Sequence, residues 1–326
     1  MGDRMDIHET QVAIKKIKDT FQMHISDELN LLRVSAPLFV RPESGLNDNL
    51  TGVEVPVRFE LKQYGETAEI VQSLAKWKRY ALKRYGFQYG EGLYTDMNAI
   101  RPFEYLDEIH SIYVDQWDWE RIIKPEERNV DFLKWVVERI YEAFCRTEEL
   151  ILSDYPELTR KLPDKITFIT TQELEDLYPD LTPDEREREY TRDHKAVFLM
   201  QIGGVLKSGK PHGTRSPDYD DWTLNGDILF WNPTTDAVIE MSSMGIRVNE
   251  ERLLEQIHLA GCEERLKQAY HRMLLAGELP LTVGGGIGQS RICMFFLEKR
   301  HIGEVQSSIW PQEILESCEE KGIQLL

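Results

Sequence analysis

The sequence predicts an α+β fold in which a mainly antiparallel β-sheet is flanked by helices. Predicted strands occur in hairpin pairs, and amphipathic helices are interspersed among the pairs instead of alternating with single strands. This order is typical of an antiparallel sheet rather than of a parallel sheet built from βαβ units. The 326 residues show no internal repeat and no low-complexity linker, so we expect a single domain over residues 1–326.

Composition and charge exclude several classes of protein. Hydrophobic residues make up 41% of the chain, which is enough for a large core, but no run approaches the ~18 apolar residues of a membrane span. The charged N-terminal segment has no apolar region of the kind that secretory signals contain. A formal net charge of −18 would repel a phosphate backbone, so we expect no nucleic-acid partner, and from the lack of a long apolar run we expect no membrane partner. The four cysteines form no CxxC pair, and we expect reduced thiols in a cytoplasmic protein.

The first predicted element is a long amphipathic helix over residues 7–31. Its apolar side chains recur near the helical period: Ile14, Ile17, Phe21, Ile25 and Leu29. Such a stripe is typical of an ordinary core, and at the start of a chain it also suits a dimer interface. An extended segment over residues 31–40 follows, in which Pro37 indicates an edge or irregular strand.

The next residues combine a polar loop, a hairpin and a basic helix. The loop over residues 41–53 contains Asp48, and carboxylates in such loops are usually solvated turn formers. Residues 53–59 and 69–74 predict the two strands of a hairpin. Residues 73–86 predict a helix whose cations lie mostly on a solvated face, although in so acidic a chain one of them can serve a negative substrate.

Two strands are predicted between Tyr94 and Glu120, and a row of polar side chains lies along the second of them. Alternation along this strand places Gln116, Asp118 and Glu120 on one face, with tryptophans on the other. Burying that polar face is costly unless each group has a partner. An exposed face is therefore the simpler interpretation. Arg101, at the end of the first strand, is within hairpin reach of the row.

Further helices, strands and loops are predicted in the second half of the chain. They comprise a helix at 131–152, a strand at 162–170, an acidic helical segment at 170–196, a strand at 197–202, a hairpin at 224–231 and 237–241, a helix at 251–275 and a short C-terminal helix within 303–326. The polar loop over residues 203–221 is the predicted lid, with Arg215, Asp220 and Asp221 as its charged candidates.

A glycine-rich segment, LTVGGGIGQSRICMFFL at residues 281–297, is the most informative part of the chain. Its glycines, Gly284–Gly286 and Gly288, predict a strand, a loop and then a buried helix over the apolar residues 292–297. The free backbone N–H groups at such a helix start suit a phosphate, which Arg291 can bind in a bidentate manner. On the glycines alone, a turn packed against a sheet with Arg291 in a surface ion pair explains the pattern equally well.

Three separated segments together resemble the signatures of class II aminoacyl-tRNA synthetases, above all those of the aspartyl and asparaginyl branch. The helix, strand and Pro37 near the N-terminus resemble the first signature, which forms the dimer. RPFEYLDE with YVDQWDWE resembles the second signature, and GGGIGQSRICMFF resembles the third. QSLAKWKR resembles the QSPQxxK block of aspartyl enzymes, with Ala75 in place of a glutamine that contacts the substrate.

The start and the charge of the chain favour one family within this group. The chain begins at the first signature, so no anticodon-binding domain is expected, and its charge does not suit tRNA. A closer resemblance is to the ammonia-dependent asparagine synthetases, which resemble the bare catalytic core of that branch. It extends over nearly the whole chain, in segments that include GEGLYT, SPDYDDW, LNGDILFWNP and SSMGIRV. The span between Trp222 and Leu224 is shorter than in other members, so we expect a different lid.

This resemblance implies an ATP- and Mg²⁺-dependent ligase that joins L-aspartate and ammonia into L-asparagine. The reaction would pass through a β-aspartyl adenylate and release AMP and pyrophosphate, and the enzyme would be a cytoplasmic homodimer. The matching motifs imply ATP contacts from Arg101, Glu104, Gly286, Gly288 and Arg291. They imply aspartate contacts from Ser73, Lys78, Gln116, Asp118 and Arg247, and Mg²⁺ ligands in Asp227 and Glu240. The implied catalytic residues are Arg101 and Arg291 at the phosphates, with Asp48 and Asp221 near the ammonia.

Two alternatives remain open from the sequence. The first is an adenylate-forming relative that acylates tRNA or a protein, and for an RNA acceptor the net charge of −18 speaks against it. The second is a non-catalytic, synthetase-like regulator, which would not need Arg101, Arg291 and the two Mg²⁺ carboxylates. A glutamine-using enzyme with an N-terminal nucleophile would require a cysteine after the initiator Met, where the chain has Gly2, so free ammonia is the expected nitrogen source.

Overall fold

A computed structural model describes residues 5–48, residue 50 and residues 54–326 of the chain. Within these residues the strands are, in chain order, β1 (Leu31–Arg33), β2 (Phe39–Val40), β3 (Arg58–Leu61), β4 (Glu66–Ile70), β5 (Gly92–Ile100), β6 (Tyr113–Ile122), β7 (Thr167–Thr170), β8 (Ala196–Met200), β9 (Asp220–Asn232), β10 (Ala237–Arg247) and β11 (Thr282–Gly288). Eight of them form one sheet in the order β1-β5-β6-β11-β10-β9-β8-β7, and β2, β4 and β3 form a small second sheet. The glycine-rich strand β11 therefore lies at the centre of the main sheet, between β6 and β10.

The main sheet is mixed, so the prediction of a mainly antiparallel sheet is partly wrong. The six inner strands of the sheet, β5, β6, β11, β10, β9 and β8, form antiparallel pairs with one another. Both outer strands, β1 and β7, join their neighbours in parallel. A parallel pair requires a long crossover connection, which residues 34–91 supply before β5 and residues 171–195 supply before β8.

Helices pack around the sheet, which gives the α+β composition that the sequence predicts. In the described residues they are α1 (Ile7–Leu29), α2 (Ala75–Tyr85), α3 (Val130–Asp154), α4 (Thr171–Leu177), α5 (Pro183–His194), α6 (Glu250–Ala260), α7 (Ala269–Leu275), α8 (Gln289–Phe296) and α9 (Gln312–Glu320). The helix predicted at 251–275 is divided into α6 and α7, because Gly261 ends α6 with a φ of +64°. None of these helices is both long and apolar enough to cross a membrane.

The two faces of the main sheet differ in character. One face packs beneath α1, α3 and α8 in the largest apolar core, where the stripe predicted on α1 is buried as expected. The ring of Phe21 on α1 lies 5.0 Å from that of Trp117 on β6 and 4.8 Å from that of Phe144 on α3, measured between centroids. On the other face, α2 packs against β5 in a second apolar cluster, and a polar cavity opens beside it.

The small sheet takes up the segments around the predicted polar loop. The predicted hairpin is present as β3 and β4, several residues away from its expected bounds, and residue 53 lies outside the described residues. β2 pairs with β4, so the extended segment predicted at 31–40 is divided between two sheets. Residues 1–4 of the charged N-terminal segment also lie outside the described residues. The four cysteines are free thiols, as expected.

The lid predicted at 203–221 corresponds to the loop of residues 201–219 between β8 and β9, which we call the lid loop, and Asp220 and Asp221 lie in β9 instead. Its outer part is tied to α4, because Lys207 Nζ donates a hydrogen bond to Asp176 at 2.7 Å. The short span between Trp222 and Leu224 lies inside the continuous strand β9. The lid loop therefore ends where β9 begins, and no insert interrupts this strand.

Candidate active site

A cavity of about 300 Å³ opens on the face of the main sheet that carries α2. It brings together residues that are far apart in the sequence. Most of the residues that the resemblance nominates line it: Asp48, Ser73, Lys78, Arg101, Glu104, Gln116, Asp118, Glu240, Arg247, Gly286, Gly288 and Arg291. Asp221 is buried and Asp227 is partly buried near this region, but neither lines the cavity.

The glycines of β11 form part of the cavity wall, but they act differently from the prediction. They belong to a strand that runs into α8 without a loop, and none of the four has a positive φ. Their missing side chains matter for a steric reason. A Cβ on Gly286 would lie 2.7 Å from Asp118 Oδ1, and a Cβ on Gly284 would overlap the Glu120 carboxylate. The predicted glycine loop is therefore wrong, and Gly284 and Gly286 leave room for the polar row on the neighbouring strand β6.

The polar row on β6 is largely buried, so the simpler interpretation of an exposed face is wrong. The carboxylate of Glu120 accepts hydrogen bonds from Arg247 Nε at 3.0 Å, from Arg247 Nη2 at 2.8 Å and from Thr282 Oγ1 at 2.7 Å. Burial acts to raise the pKa of Glu120, but Arg247, Lys78 and Thr282 together outweigh it, and the pKa lies below its usual value. Asp220 binds the other side of the Arg247 guanidinium. These partners offset the cost of burying the charges.

Three cations of α2 are buried instead of lying on a solvated face. Lys76, Lys78 and Arg79 are 3%, 1% and 2% exposed, so the predicted solvated face is wrong for these three residues. Lys78 Nζ donates to the carbonyl oxygen of Gly285 at 2.8 Å and lies 3.3 Å from Asp118 Oδ2. Burial lowers the pKa of Lys78, although Asp118 acts against this change. Lys78 is thus placed beside the polar row, as the resemblance implies.

Two arginines offer hydrogen-bond donors to the cavity. Arg101 follows β5, and its backbone N–H donates to Ile112 O at 2.8 Å, which fixes it at the base of the hairpin. Its Nη2 donates to Gln72 O at 3.3 Å, and its buried Nε has no hydrogen-bond partner among the described residues. Arg291 of α8 donates from Nη1 to Glu240 O at 2.8 Å. A guanidinium carries five N–H donors, so both arginines retain donors for an anion.

His110 is a cavity residue that sequence reasoning missed. It lies between β5 and β6, and its Nδ1 is 2.9 Å from both carboxylate oxygens of Asp107. Burial acts to raise the pKa of Asp107, but the hydrogen bonds and charge of His110, together with the backbone N–H of Ile109, outweigh it and the pKa is lowered. A lone histidine in a charged loop gives no signal of its own, and only the fold brings it to the cavity.

Asp227 of β9 and Glu240 of β10, the Mg²⁺ ligands that the resemblance implies, lie on adjacent strands. Burial raises the pKa of Asp227 to about 7, with Arg215 acting against this change and Glu240 adding to it. Arg215 of the lid loop lines the cavity and donates from Nη2 to Asp227 Oδ1 at 2.6 Å. No group of three or more His, Cys, Asp or Glu side chains in the described residues is arranged to hold a metal. Two carboxylates nevertheless fit Mg²⁺, which commonly takes its other ligands from phosphates and water.

The two acids implied near the ammonia are in different environments. Asp48 lines the cavity, and burial raises its pKa. Asp221 is paired instead with Arg128 at 2.7 Å and with Arg252 at 3.2 Å, and it does not line the cavity. Its neighbour Asp220 does line the cavity, because successive residues of a strand point to opposite faces.

Comparison with known protein families places this geometry in context. A family model described as aspartate-ammonia ligase matches residues 8–322. An aspartate–ammonia ligase of Clostridium tetani is 62% identical over 323 residues, which cover 99% of this chain and 95% of that protein. An aspartate–ammonia ligase of Fusobacterium nucleatum is 61% identical over 322 residues, which cover 99% of this chain and 98% of that protein.

Solved structures of tRNA synthetases share the fold. Asparaginyl-tRNA synthetase from Pyrococcus horikoshii, complexed with asparaginyl-adenylate, matches with a TM-score of 0.66 and 17% identity over 93% of this chain and 70% of that one. The asparaginyl-tRNA synthetase of Entamoeba histolytica, in complex with asparaginyl-adenylate, matches with a TM-score of 0.68 and 13% identity over 94% of this chain and 69% of that one. At such identities the likeness establishes the fold, that of a class II synthetase catalytic core. With the family model and the bacterial relatives matching almost its whole length, this chain belongs to the aspartate–ammonia ligase family.

Proposed function

We propose that this chain makes L-asparagine from L-aspartate, ammonia and ATP, through a β-aspartyl adenylate and with release of AMP and pyrophosphate. The observation that carries the proposal is the cavity, where arginines with unused donors and a buried row of acids with a lysine line the same space. This combination suits a nucleotide and an amino acid side by side. Membership of the aspartate–ammonia ligase family supports the same reaction.

The chemistry requires activation of a carboxylate. A carboxylate does not react with ammonia, because its oxygen is a poor leaving group. Transfer of the adenylyl group of ATP to the β-carboxylate of aspartate releases pyrophosphate and turns that oxygen into part of AMP, which leaves readily. Arg101 and Arg291 stabilise the negative charge that develops on the phosphates during this transfer. Glu104 contacts the adenine, and the bare backbone at Gly286 and Gly288 lets the nucleotide approach β11 closely.

The buried polar row binds the amino acid. We assign the aspartate contacts to Ser73, Lys78, Gln116, Asp118 and Arg247. Asp118 and Gln116 compensate the α-ammonium group, and Lys78 holds a carboxylate. Arg247 donates three N–H groups to Glu120 and Asp220, and among the described residues its other two donors are left for a substrate carboxylate.

Asp48 is the residue that we assign to the ammonia step. Its raised pKa, which burial causes, suits a carboxylate that takes a proton from the nitrogen as the nitrogen attacks the β-carbonyl carbon. The new C–N bond forms, the bond from that carbon to the AMP oxygen breaks, and AMP departs. The resemblance implies both Asp48 and Asp221 near the ammonia. We assign this role to Asp48 alone, because Asp221 pairs with Arg128 and Arg252 outside the cavity.

Asp227 and Glu240 are the residues that would hold Mg²⁺. When bound, this ion would neutralise phosphate oxygens and so favour their approach to these two carboxylates. Arg101 and Arg291 would contact the phosphates, while Asp227 and Glu240 would hold the cation that accompanies them.

We further propose that the chain is a single ligase domain and that it works as a homodimer in the cytoplasm. Apolar side chains at one edge of the molecule support an interface there, since Val12 and Met23 of α1 are about half exposed and Leu32 of β1 is 61% exposed. β1 is also an edge strand of the main sheet. Light scattering on the purified protein tests this proposal, and a dimer would give twice the mass of one chain.

Incubation of the purified protein with ATP, Mg²⁺ and L-aspartate, with and without ammonium, tests the function. We expect asparagine and AMP in equal amounts when ammonium is present. Turnover of ATP without asparagine would point instead to an enzyme that acylates tRNA or a protein. A complete lack of ATP turnover would favour a non-catalytic regulator.

A further inference from the structure

Arg215 reaches from the lid loop to the centre of the main sheet. Its side chain is 11% exposed and lines the cavity. Nη2 donates to Asp227 Oδ1 at 2.6 Å, and Nη1 donates to Ser243 Oγ. Asp227 of β9 and Ser243 of β10 are direct partners in the strand register, so the guanidinium bridges the two strands.

The guanidinium of Arg215 lies beside Asp227, where a bound metal ion would balance the negative charges of Asp227 and Glu240. Asp227 and Glu240 place two negative charges on adjacent strands, and Arg215 supplies a positive charge to the first of them. A divalent ion on Asp227 and a guanidinium 2.6 Å from an oxygen of the same carboxylate would repel each other strongly in this partly buried place. The buried Nε of Arg215 also has no hydrogen-bond partner among the described residues, so its present position leaves one donor unused.

We propose that Arg215 is a resident counter-cation, which neutralises Asp227 when nucleotide is absent and moves onto the phosphates when Mg²⁺ and ATP bind. The inference rests on the proposed function for its ligand and adds a positioning residue to that site. The move needs only a change of side-chain conformation, because Arg215 already lines the same cavity as Arg101 and Arg291. The outer lid loop stays anchored meanwhile through Lys207 and Asp176.

Such a residue has effects of opposite sign on metal binding without and with nucleotide. In the absence of nucleotide Arg215 competes with the metal, so Arg215→Met should bind Mn²⁺ about tenfold more tightly than the wild type. In the presence of a non-hydrolysable ATP analogue the same variant lacks a phosphate contact, so it should bind Mn²⁺ about tenfold less tightly. Electron paramagnetic resonance of free Mn²⁺ measures both affinities without any turnover.

Two further variants make the test sharp. Arg128→Met is the matched control, since Arg128 pairs with buried Asp221 at 2.7 Å but does not line the cavity, and we expect neither affinity to change. Arg215→Lys keeps the positive charge and should show smaller changes in the same two directions, so it replaces Arg215→Met if that variant does not fold. Thermal unfolding of each variant checks the fold.

The outcomes separate the inference from the proposed function. Weaker Mn²⁺ binding by Arg215 variants under both conditions would make Arg215 a permanent structural clamp and overturn the inference. Unchanged binding under both conditions would overturn it as well. A wild type that binds no Mn²⁺ with the ATP analogue would remove the proposed metal site together with the inference. Asparagine synthesis that is normal in the wild type, with no reversal in the variants, would remove the inference alone.

Discussion

The two faces of β6 show how one strand serves both stability and chemistry. Trp117 and Trp119 pack into the apolar core beneath α1 and are at most 1% exposed. Asp118 and Glu120 alternate with them and are almost as deeply buried on the opposite face. The apolar face is stabilised by burial itself, whereas the polar face depends on partners such as Arg247 that come from distant parts of the chain. Depth of burial therefore does not distinguish the apolar core from the candidate active site. The two faces of β6 differ in the chemical type of the groups that contact them.

Glu120→Ala should break the polar face with the largest effect. It leaves Arg247 and Lys78 short of a buried carboxylate, and removal of one partner from a buried ion pair costs about 3–5 kcal/mol in the free energy of unfolding. Asparagine synthesis should fall with it, because Arg247 loses the group that orients it. Urea unfolding measures the first effect, and Glu120→Gln, which keeps the side-chain volume, should lose less. A Glu120→Ala protein as stable as the wild type would contradict the difference drawn between the two faces.

Arg101→Ala should separate the chemistry of the cavity from its stability. Removal of one group that stabilises developing charge typically lowers kcat about 10²- to 10³-fold. Within the described residues the guanidinium makes a single long hydrogen bond, to Gln72 O at 3.3 Å, so the free energy of unfolding should change by less than about 0.5 kcal/mol. Exchange of labelled pyrophosphate into ATP, dependent on aspartate, measures the adenylation step. A fully active Arg101→Ala enzyme would remove Arg101 from the proposed mechanism.

The apolar half of this comparison was predictable from the sequence, because it rests on local periodicity. Residues that recur every three or four positions must share one face of a helix, and the stripe from Ile14 to Leu29 is buried as predicted. The alternation along β6 likewise assigns its tryptophans and its acids to opposite faces. The family and the reaction also followed from sequence, because the motifs match along nearly the whole chain.

The polar half depends on contacts that no local pattern contains. Whether Glu120 is buried is decided by Arg247, which lies 127 positions further along the chain. Gly284 and Gly286 of β11 are explained by the side chains of β6, which oppose them only when the two strands are paired. The prediction gave a role near the ammonia to Asp221, but in β9 it is Asp220 that faces the cavity, and the start of that strand could not be read from the sequence. The parallel outer strands are a further long-range property, since each is paired across a crossover.

Phe21→Leu should test the apolar face with a smaller and purely structural effect. The substitution keeps most of the volume but loses the ring contacts with Trp117 and Phe144, so we expect a loss of about 1 kcal/mol in the free energy of unfolding. The kcat for asparagine synthesis at a temperature well below unfolding should be unchanged. A loss of activity without a loss of stability would show that this face is coupled to the cavity after all.

Asp48→Asn should have the smallest effect on the free energy of unfolding, and it should stabilise the protein where the other substitutions destabilise it. Burial raises the folded-state pKa of Asp48 above its ordinary value of 3.8. The folded protein then binds this proton more tightly than the unfolded chain does. The stability that the group contributes therefore falls as the pH rises from 3.8 towards the raised folded-state pKa, and it is constant above that value. The amide side chain of the Asp48→Asn variant does not titrate, so the variant does not lose this stability. It should therefore become more stable relative to the wild type as the pH rises through that window.

Urea unfolding of both proteins from about pH 4 to about pH 8 covers this window, because it begins near the ordinary pKa of the aspartyl group. A stability difference that is the same at every pH would show that Asp48 does not titrate differently in the folded state. Activity gives the second readout, since pyrophosphate exchange should remain near that of the wild type while asparagine formation falls. Equal losses in both reactions would place Asp48 in adenylation instead of the ammonia step. We expect a more stable protein that forms the adenylate but aminates it slowly. This combination would show that Asp48 contributes to amination although its burial destabilises the fold.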